Sequence, residues 1–500
     1  MPTYPLQALA EARVGGEQQK ELDRIALIRF NLFMCREPGP VEFTVVRADS
    51  PPSELWSAVQ GLLGENGALR AENENLKARV AELEAKLGRP TKTPENSSLP
   101  PSRGQKTNRP ADEDTNKRTK ASHPGMGRPL SADPDRIFEA KATACPHCTA
   151  VVTAEGQTVQ QVYDRIEVPP IRPVITQVRR YGGRCPGCQK RFLAPVPTGL
   201  EPGSPYGASV ASLAIDLRYG HAISYERLSG VFDEIFGLPL SEGALGNLFE
   251  RSRAAFTNQV AGIKAKLLRS TIICSDETSV RVKKRRWWQW TFQNAEACVH
   301  IIQPSRSKAV PAAFLGGVRP AFWVSDRLGS QQGWGQQWQV CLAHQLRDVQ
   351  YALDAGDTVF APVVKRILLR AILIGRRRDR LADSTLKQYR ADLDRRLDAA
   401  LKLEPTTTAG TKLRRQCLKY RAHFFVFVTH RLVPPTNNSS EQALRPSTIF
   451  RKVTNCFRSE WGAAFFADVR SVVETGRRLG LTALQAIRQT LDGELFFATG

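Results

Sequence analysis

The sequence predicts an α/β protein in which a mixed sheet and its helices follow a metal-binding module and an N-terminal coiled coil. Three observations support this prediction. Leucines recur every seven residues near the N-terminus, two Cys-x-x-Cys pairs lie in the middle, and strand-like and helix-like segments alternate after residue 270. A chain of 500 residues has room for about two to four domains.

The charge balance indicates a polyanionic partner. The chain has 71 Lys and Arg against 49 Asp and Glu, a net charge of +22, which favours nucleic acid. No apolar run of about 18 residues predicts a membrane span, and the N-terminus lacks a secretion pattern. The ten cysteines therefore indicate a reducing, cytoplasmic location and metal binding rather than disulfides.

A heptad repeat occupies residues 55 to 87. Its d/a pattern, with two Asn at a positions, is typical of a two-stranded parallel coiled coil and predicts self-association. A single amphipathic helix packed on its own domain is the alternative. The repeat consists of Leu55, Leu62, Leu69, Leu76 and Leu83, with Val59, Asn66, Asn73, Val80 and Leu87 four positions after each.

Two cysteine pairs follow GRPTKTPENSSLPPSRGQKTNRP, a stretch expected to be a flexible basic linker. Each pair has the spacing of a metal knuckle, and two knuckles supply the four sulfurs of a structural Zn²⁺ site. Between them, QQVYDRIEV and VITQVRRYGGR predict a hairpin that joins the knuckles. Two unrelated or redox-active pairs are the alternative. The predicted ligands are Cys145, Cys148, Cys185 and Cys188, with His147 as a bystander.

Residues 201 to 260 predict three helices: SVASLAIDLRYG, SYERLSGVFDEIFG and EGALGNLFERSRAAF. Ser241 is the expected N-cap of the third helix. The second and third helices fit a DNA-binding helix-turn-helix and ordinary helical packing equally well.

Strand-like segments begin at residue 271. TIICSD, RWWQWTFQ and CVHIIQ predict a meander whose first strand ends at Asp276, and AFWVSD predicts a strand ending at Asp326. Neighbouring strands would hold both carboxylates at one sheet edge, where they repel unless a divalent cation lies between them. The adjacent Glu277 should point to the other face.

A third acid follows in NNSSEQALRP. Ser439 or Ser440 is expected to cap a helix, and Glu441 then lies in its first turn, from which it can reach both aspartates. A solvated acid favoured by the helix dipole is the alternative.

These motifs, in this order, resemble the insertion-sequence-sixty-six family of transposases, bacterial DDE transposases with a ribonuclease-H-like core. The resemblance runs from about residue 54 to about 480. In two places this chain departs from the family pattern: no aromatic residue follows SDR closely, and Gln442 replaces an Arg. The motifs are the leucine repeat, NSSLPPS, CPHC, CPGC, DETSVRV, WW, SDR, CLAHQLRD, NNSSEQALRP and FRSEWGAAFFADVRS.

The resemblance implies a transposase that cuts and joins DNA at the ends of an insertion sequence. The family's triad falls on Asp276, Asp326 and Glu441, which would hold two Mg²⁺ ions, or Mn²⁺, for phosphoryl transfer. The Zn²⁺ would be structural. The implied partners are terminal-repeat and target DNA, further copies of the chain and accessory proteins of the same element, with no membrane.

Basic clusters at 281–286, 375–380 and 412–421 are candidates for phosphate contact, although each is also compatible with a solvated face. In CLAHQLRD, His344 and Arg347 are expected near Asp326, where they could contact the scissile phosphate. The start of a helix explains these two residues nearly as well. The predicted DNA-binding residues are Lys283, Lys284, Arg285, Arg286, His344, Arg347 and Arg445.

Two other functions remain open from the sequence: a zinc-containing coiled-coil DNA-binding regulator without catalysis, and a ribonuclease-H-like nuclease or resolvase. The expected divisions are an unassigned, disordered tail (1–50), the coiled coil (51–90), the linker (91–130), the zinc-binding domain (131–200), the helical region (201–265), the catalytic domain (266–475) and a C-terminal helical tail (476–500).

Overall fold

The structure, a computed structural model, describes residues 61, 64, 66–80, 89–97, 99 and 128–498. The chain falls into two units, Met1–Arg89 and Pro90–Gly500. In the first, residues 66–80 are helical, and the seam residues Leu69 and Leu76 are 60% and 57% exposed. The predicted tail 1–50 and much of the heptad repeat lie outside the described residues, including Leu55, Val59, Leu62, Leu83 and Leu87.

The described part of the second unit contains seven strands and twelve α-helices. The strands are β1 (Gly182–Arg184), β2 (Arg191–Leu193), β3 (Ile272–Val282), β4 (Arg285–Gln293), β5 (Cys298–Gln303), β6 (Phe322–Ser325) and β7 (Gln337–Val340). The helices are α1 (Ala208–Ile215), α2 (Tyr225–Phe236), α3 (Glu242–Leu268), α4 (Ala309–Leu315), α5 (Leu342–Asp354), α6 (Phe360–Arg377), α7 (Asp383–Ala400), α8 (Thr408–Tyr420), α9 (Val426–Thr429), α10 (Asn438–Thr454), α11 (Glu460–Arg478) and α12 (Ala483–Leu491).

A five-stranded sheet in the order β5-β4-β3-β6-β7 forms the centre of the second unit. β3, β4 and β5 are the predicted antiparallel meander, whereas β6 lies parallel to β3 and β7 lies parallel to β6. The predicted class of mixed α/β protein is therefore confirmed. None of the described helices combines the length and apolar composition that a membrane crossing requires.

The expectation that the first strand ends at Asp276 is wrong, because β3 continues to Val282. Its pairing with β6 stops at Cys274, but its pairing with β4 continues to the hairpin turn. Lys283 and Lys284 form that turn with φ values of 48° and 65°, the left-handed conformation that a two-residue hairpin requires. Asp276 therefore lies in mid-strand, where β3 loses one of its two neighbours.

The two faces of β4 differ in character. Phe292 on one face stacks on Phe314 of α4 at a centroid distance of 3.9 Å. On the other face, Gln289 and Gln293 donate to Ser447 and Ser440 of α10, each at 2.9 Å. One face is thus an apolar core, and the other binds α10 through polar contacts.

Helix α11 covers the outer edge of β5 with hydroxyl groups. The backbone N–H of His300 donates to Ser471 Oγ at 2.8 Å, and that of Cys298 donates to Thr475 Oγ1 at 3.0 Å. Thr475 Oγ1 in turn donates to the Cys298 carbonyl at 3.1 Å. Side chains of a helix therefore satisfy backbone groups that an edge strand would otherwise expose.

Helices α5 to α9 form an excursion between β7 and α10. At its base, the Leu342 N–H donates to the Pro435 carbonyl at 3.0 Å, so the excursion begins and ends at one point. Its helices pack on one another, and the fully buried Phe427 and Leu368 belong to its core.

Part of the predicted flexible linker is ordered. Asn96 is 3% exposed and donates to Asp354 Oδ2 at the end of α5 at 2.9 Å. It also donates to the Thr91 carbonyl and accepts from the Thr93 N–H, which fixes the local turn. A single asparagine thus fastens residues 91–97 to the excursion; residues 98 and 100–127 lie outside the described part.

The helical region and its predicted N-cap are confirmed. Helices α1, α2 and α3 lie where three helices were expected, and Ser241 Oγ accepts from the Ala244 N–H at 3.2 Å. The helix α3 extends to Leu268, further than its sequence pattern indicated, because it continues along α11 and β5.

We predict that Thr475→Val lowers the free energy of unfolding by about 1–3 kcal/mol, since an isosteric side chain leaves two buried backbone groups unpaired. Urea denaturation of the full chain measures this. The control is Thr411→Val, whose exposed hydroxyl bonds only to the Thr407 carbonyl in its own helix. Equal stability of the two variants would contradict the role assigned to Thr475.

Candidate active site

Asp276 lies within β3, and Asp326 follows the end of the neighbouring parallel strand β6. Cys274 of β3 pairs with Val324 of β6, and each aspartate lies two residues further along its strand direction. Both are half-buried. Asp276 Oδ1 accepts from the Glu277 N–H at 2.9 Å, and Asp326 Oδ1 accepts from the Leu328 N–H at 2.9 Å. The strands therefore deliver two carboxylates to one edge, as the sequence predicts.

Glu441 lies in the first turn of α10, as expected. The expected serine cap is wrong: Asn437 is the N-cap residue, and the Ser440 hydroxyl donates to Asn437 Oδ1 at 2.7 Å. The serine cannot cap because it lies inside the helix, where it binds a neighbouring side chain. Ser439, also inside the helix, is exposed.

Asn437 connects the three segments that carry the acids, and it is 1% exposed. Its side-chain Nδ2 donates to the Ser275 carbonyl, directly before Asp276, at 2.7 Å. Its backbone N–H donates to Cys341 Sγ at 3.1 Å. The Cys341 N–H donates to the Ser325 carbonyl, directly before Asp326, at 2.9 Å. The side chain of Asn437 thus binds α10 to β3, and its backbone N–H links α10 through Cys341 to β6, a function that the sequence analysis missed.

A second row of polar side chains supports this junction. Gln293 of β4 donates to Ser440 Oγ at 2.9 Å and accepts from Arg478 of α11. Arg478 also pairs with Glu474 at 3.4 Å. The start of α10 is therefore held by the sheet and by α11 together.

The acids lie close enough to interact electrostatically. Burial raises the pKa of Asp276 well above its usual value, and the charges of Glu277, Asp326 and Glu441 raise it further. The structure thus brings the predicted triad together, with a fourth carboxylate beside it. A cluster of this kind favours a bound cation.

Glu277 has different contacts from its neighbour. It pairs in register with Trp290, and its carboxylate accepts from Arg306 at 2.8 Å and from Gln331 at 2.7 Å. Burial and the charge of Asp326 raise its pKa. Its oxygens are engaged by a guanidinium and an amide, and its pairing with Trp290 in place of Thr291 agrees with the expectation that it points to the other face.

His344 and Arg347 face Glu441 from the first turns of α5. His344 Nδ1 lies 3.7 Å from Glu441 Oε1, and Arg347 Nη2 lies 3.7 Å from Oε2. Burial lowers the pKa of His344, although the charges of Glu441 and Asp326 act in the opposite direction. Both residues therefore lie at the acidic site, as predicted, with Glu441 as their direct neighbour.

Cys341 is a further site residue that the sequence analysis did not single out. Its Sγ, a His344 ring nitrogen and a Glu441 oxygen all lie within 4.8 Å of one another. Burial raises the pKa of the Cys341 thiol, although N–H donors from Asn437, His344 and Ala343 act against that rise. The signal was present in CLAH, where Cys and His have the spacing of one helical turn.

The predicted basic residues separate into two groups. Lys283, Lys284, Arg285 and Arg286 are exposed around the β3–β4 turn, and Arg445 is exposed on α10. In the other two clusters, several arginines hold the fold together: Arg378 donates to backbone carbonyls, and Arg414 and Arg421 pair with Glu404 and Asp398.

A cavity of about 280 Å³ lies between Arg327 and helix α8. Arg327, which follows Asp326 directly, donates to Gln345 and Gln416 at 2.9 Å each and pairs with Asp348. The cavity is lined by Arg327, Arg415, Gln416, Lys419 and Tyr420. Three cationic side chains in one concave surface suit a phosphate group.

The two cysteine pairs have the same local geometry. The Cys145 N–H donates to the Ala150 carbonyl, and the Cys185 N–H donates to the Lys190 carbonyl, each at 2.9 Å. Thr149 and Gln189, the residues after each pair, have φ values of 57° and 58°. Each sequence pair therefore folds into one tight knuckle.

Backbone donors favour the thiolate in both knuckles. The N–H groups of His147 and Cys148 lower the pKa of Cys145, and those of Cys188 and Gly187 lower the pKa of Cys185. Within the described residues the four knuckle sulfurs do not form one close donor cluster.

The predicted hairpin between the knuckles is not formed. The strands β1 and β2 pair with each other on either side of the second knuckle, so only the last three residues of VITQVRRYGGR are in a strand, and residues 158–181 have no assigned strand. The apolar side chains of residues 158–181, such as Val174 and Ile175, are exposed. Within the described residues no other element packs on this segment, and an unpacked hairpin is only marginally stable.

Comparison with known proteins gave one family. The family model described as "Transposase IS66 family" matches residues 203–465, just over half of the 500 residues, a range that includes all three acids. No curated protein matches the chain.

We predict that Asn437→Ala lowers the free energy of unfolding by about 2–4 kcal/mol, because the Ser275 carbonyl and the Ser440 hydroxyl lose a buried partner. Thermal and urea unfolding measure the effect. The adjacent Asn438→Ala is the matched control, since Asn438 is exposed. A loss no larger than that of the control would show that Asn437 does not fix α10.

Proposed function

Because the chain belongs to the Transposase IS66 family, we propose that it catalyses metal-dependent cleavage of DNA at the ends of an insertion sequence and joins those ends to a target. The observation that carries this proposal is the convergence of Asp276, Asp326 and Glu441 at one sheet edge. The strand order, with three antiparallel strands followed by two parallel ones, supports a ribonuclease-H-like core.

The acids suit Mg²⁺ or Mn²⁺. Oxygen is the ligand type that these ions prefer. Glu441 Oε1 is buried and has no hydrogen-bond partner in the described part of the chain, and Asp276 is surrounded by like charge. We therefore assign two such ions to Asp276, Asp326 and Glu441. When bound, they would stabilise the negative charge that develops on the transferred phosphoryl group and its attacking and leaving oxygens.

The protein's own contribution to catalysis is to hold the three acids in fixed positions. Strands β3 and β6 fix Asp276 and Asp326, and Asn437 fixes the helix of Glu441 against them. Arg347 and His344 lie beside Glu441, where they can contact a phosphate oxygen of the bound strand. Rigid placement of this kind lowers the reorganisation needed at the moment of reaction.

The DNA backbone would follow the exposed basic residues. The β3–β4 turn, with Lys283 and Lys284, continues from the strand of Asp276, and the cavity at α8 offers Arg327, Arg415 and Lys419. Each neutralised phosphate adds affinity that does not depend on sequence. Discrimination of terminal-repeat from target DNA would come from further contacts.

We also propose self-association through residues 51–90. The exposed Leu69, Leu76 and Val80 of the described helix support it, because an apolar stripe at heptad spacing is stabilised by a second helix. A dimer would present two active sites, one for each end of an element.

We predict that Glu441→Gln and Asp276→Asn each reduce cleavage and joining of element ends at least about a hundredfold, because an acid that holds the metal is lost. DNA affinity should stay equal or rise slightly, since phosphate contacts come from Lys and Arg. Single-turnover cleavage in Mg²⁺ and a binding titration at fixed salt measure the two effects.

The control for this pair is Glu404→Gln, an exposed acid of the excursion that pairs with Arg414. Its cleavage rate should match the parent. Near-parental cleavage by Asp276→Asn would contradict the catalytic assignment, and nicking without joining by the parent would favour a nuclease.

We predict that the knuckle cysteines bind one structural Zn²⁺, which would draw the two knuckles together. Protein purified without chelator should contain one more zinc per chain than the Cys188→Ser variant, whereas Cys417→Ser should match the parent. Metal analysis by mass spectrometry measures this. Equal zinc in parent and Cys188→Ser would show that the knuckles do not hold the metal.

A further inference from the structure

Cys341, His344 and Glu441 form a cluster of three different donor types. A sulfur, an imidazole nitrogen and a carboxylate oxygen lie within 4.8 Å of one another at the junction of α5 and α10. Such a set differs from the all-oxygen environment that Mg²⁺ prefers, because thiolate and imidazole favour softer ions such as Zn²⁺. The cluster therefore shares Glu441 with the proposed catalytic metal site but adds a sulfur and an imidazole nitrogen, which Mg²⁺ does not prefer as ligands.

The geometry of the cluster suits a tetrahedral ion. Donor atoms bound to one tetrahedral Zn²⁺ lie about 3.3–3.8 Å apart, given bond lengths of about 2.0–2.3 Å. His344 Nδ1 and Glu441 Oε1 are 3.7 Å apart. Both atoms are buried and have no hydrogen-bond partner in the described part of the chain. Two unpaired polar atoms that face each other across this distance indicate a missing ligand between them.

The third donor is held in place by the backbone. Cys341 is the N-cap residue of α5, and its sulfur accepts from the Asn437 N–H at 3.1 Å. The Cys-x-x-His spacing places Cys341 and His344 on one side of the first helical turn. A set of three protein ligands leaves the fourth tetrahedral position for water or substrate, as in open zinc sites.

We propose that Cys341, His344 and Glu441 bind a soft divalent cation, with Zn²⁺ as the ion of choice, in a site that shares Glu441 with the catalytic metal site. On binding, the Cys341 thiol releases its proton to solvent, and the guanidinium of Arg347, now next to Glu441 and His344, is displaced. Zn²⁺ held here withdraws Glu441 from the catalytic ions, so zinc inhibits strand cleavage. The proposal that zinc binds here does not depend on the proposed function. The proposal that zinc inhibits strand cleavage rests on the proposed function.

The test of binding uses the full-length chain and four proteins: the parent, Cys341→Ser, His344→Ala and Cys417→Ser. Serine keeps an oxygen acceptor for the Asn437 N–H but removes the soft ligand. Cys417 is the matched control, because it is buried nearby and accepts from Gln345 at 3.6 Å, outside the cluster. Circular dichroism and thermal unfolding establish that each variant is folded.

Each protein is equilibrated with Zn²⁺ and freed of unbound metal, and its zinc content per chain is then measured. A parallel series uses Co²⁺ to record the thiolate-to-metal charge-transfer band. The parent and Cys417→Ser should hold one more equivalent than Cys341→Ser and His344→Ala, whatever the knuckles contain. The Co²⁺ difference spectrum of parent minus Cys341→Ser should contain a thiolate band. Equal stoichiometry in all four proteins, with no difference band, overturns the site.

The shared ligand is tested by zinc inhibition of cleavage in Mg²⁺. Loss of one ligand should raise the inhibiting zinc concentration at least about tenfold in Cys341→Ser relative to the parent and Cys417→Ser. Equal inhibition of parent and Cys341→Ser overturns the overlap at Glu441. A parent that binds the additional zinc but never cleaves DNA leaves the site standing and counts against the proposed function alone.

Discussion

The hydrogen bonds of Asn437 are the interaction on which the arrangement of the site depends. Its amide binds the backbone before Asp276, and its own N–H binds Cys341, whose N–H binds the backbone before Asp326. Because Asn437 is also the N-cap residue of the helix of Glu441, it connects all three acids through short, buried contacts. Removal of this one side chain would break the contact with β3, whereas the backbone N–H of residue 437 would still bind Cys341 and the second row of polar contacts would remain.

These contacts hold the acids together against the repulsion between their negative charges. Asp276, Glu277, Asp326 and Glu441 lie in one partly buried region, and burial first, then the charges of the other three acids, raise the pKa of Asp276. In a flexible loop, like charges would move apart; here strand β3, the end of β6 and the first turn of α10 hold them in place. Glu277 is compensated by Arg306 and Gln331, so the remaining repulsion is concentrated at the three acids that are proposed to hold metal. The fold thus keeps a locally unfavourable arrangement that a cation relieves.

The sequence predicted those parts of the site that depend on local pattern. Apolar runs ending at an aspartate singled out Asp276 and Asp326, although β3 continues past Asp276, and the loop and capping residues of NNSSEQ placed Glu441 in a first turn. The continuation of β3 was missed, because its second half is highly charged and its turn uses two lysines in place of Gly or Asn. The function of Asn437 was missed because it depends on Ser275, a partner 162 positions away. The hairpin of QQVYDRIEV and VITQVRRYGGR, residues 160–184, was predicted from strand-like runs alone, which cannot reveal whether a packing surface exists.

The closed base of the helical excursion has a consequence for how this chain can change in evolution. Since the Leu342 N–H binds the Pro435 carbonyl, the chain returns to within one hydrogen bond of the point where it left the sheet. Residues gained or lost among α6 to α9 alter the sequence interval between Asp326 and Glu441 without altering their separation in space. Selection on the chemistry therefore acts on the two sides of this junction, and the interior of the excursion is free to acquire new surfaces.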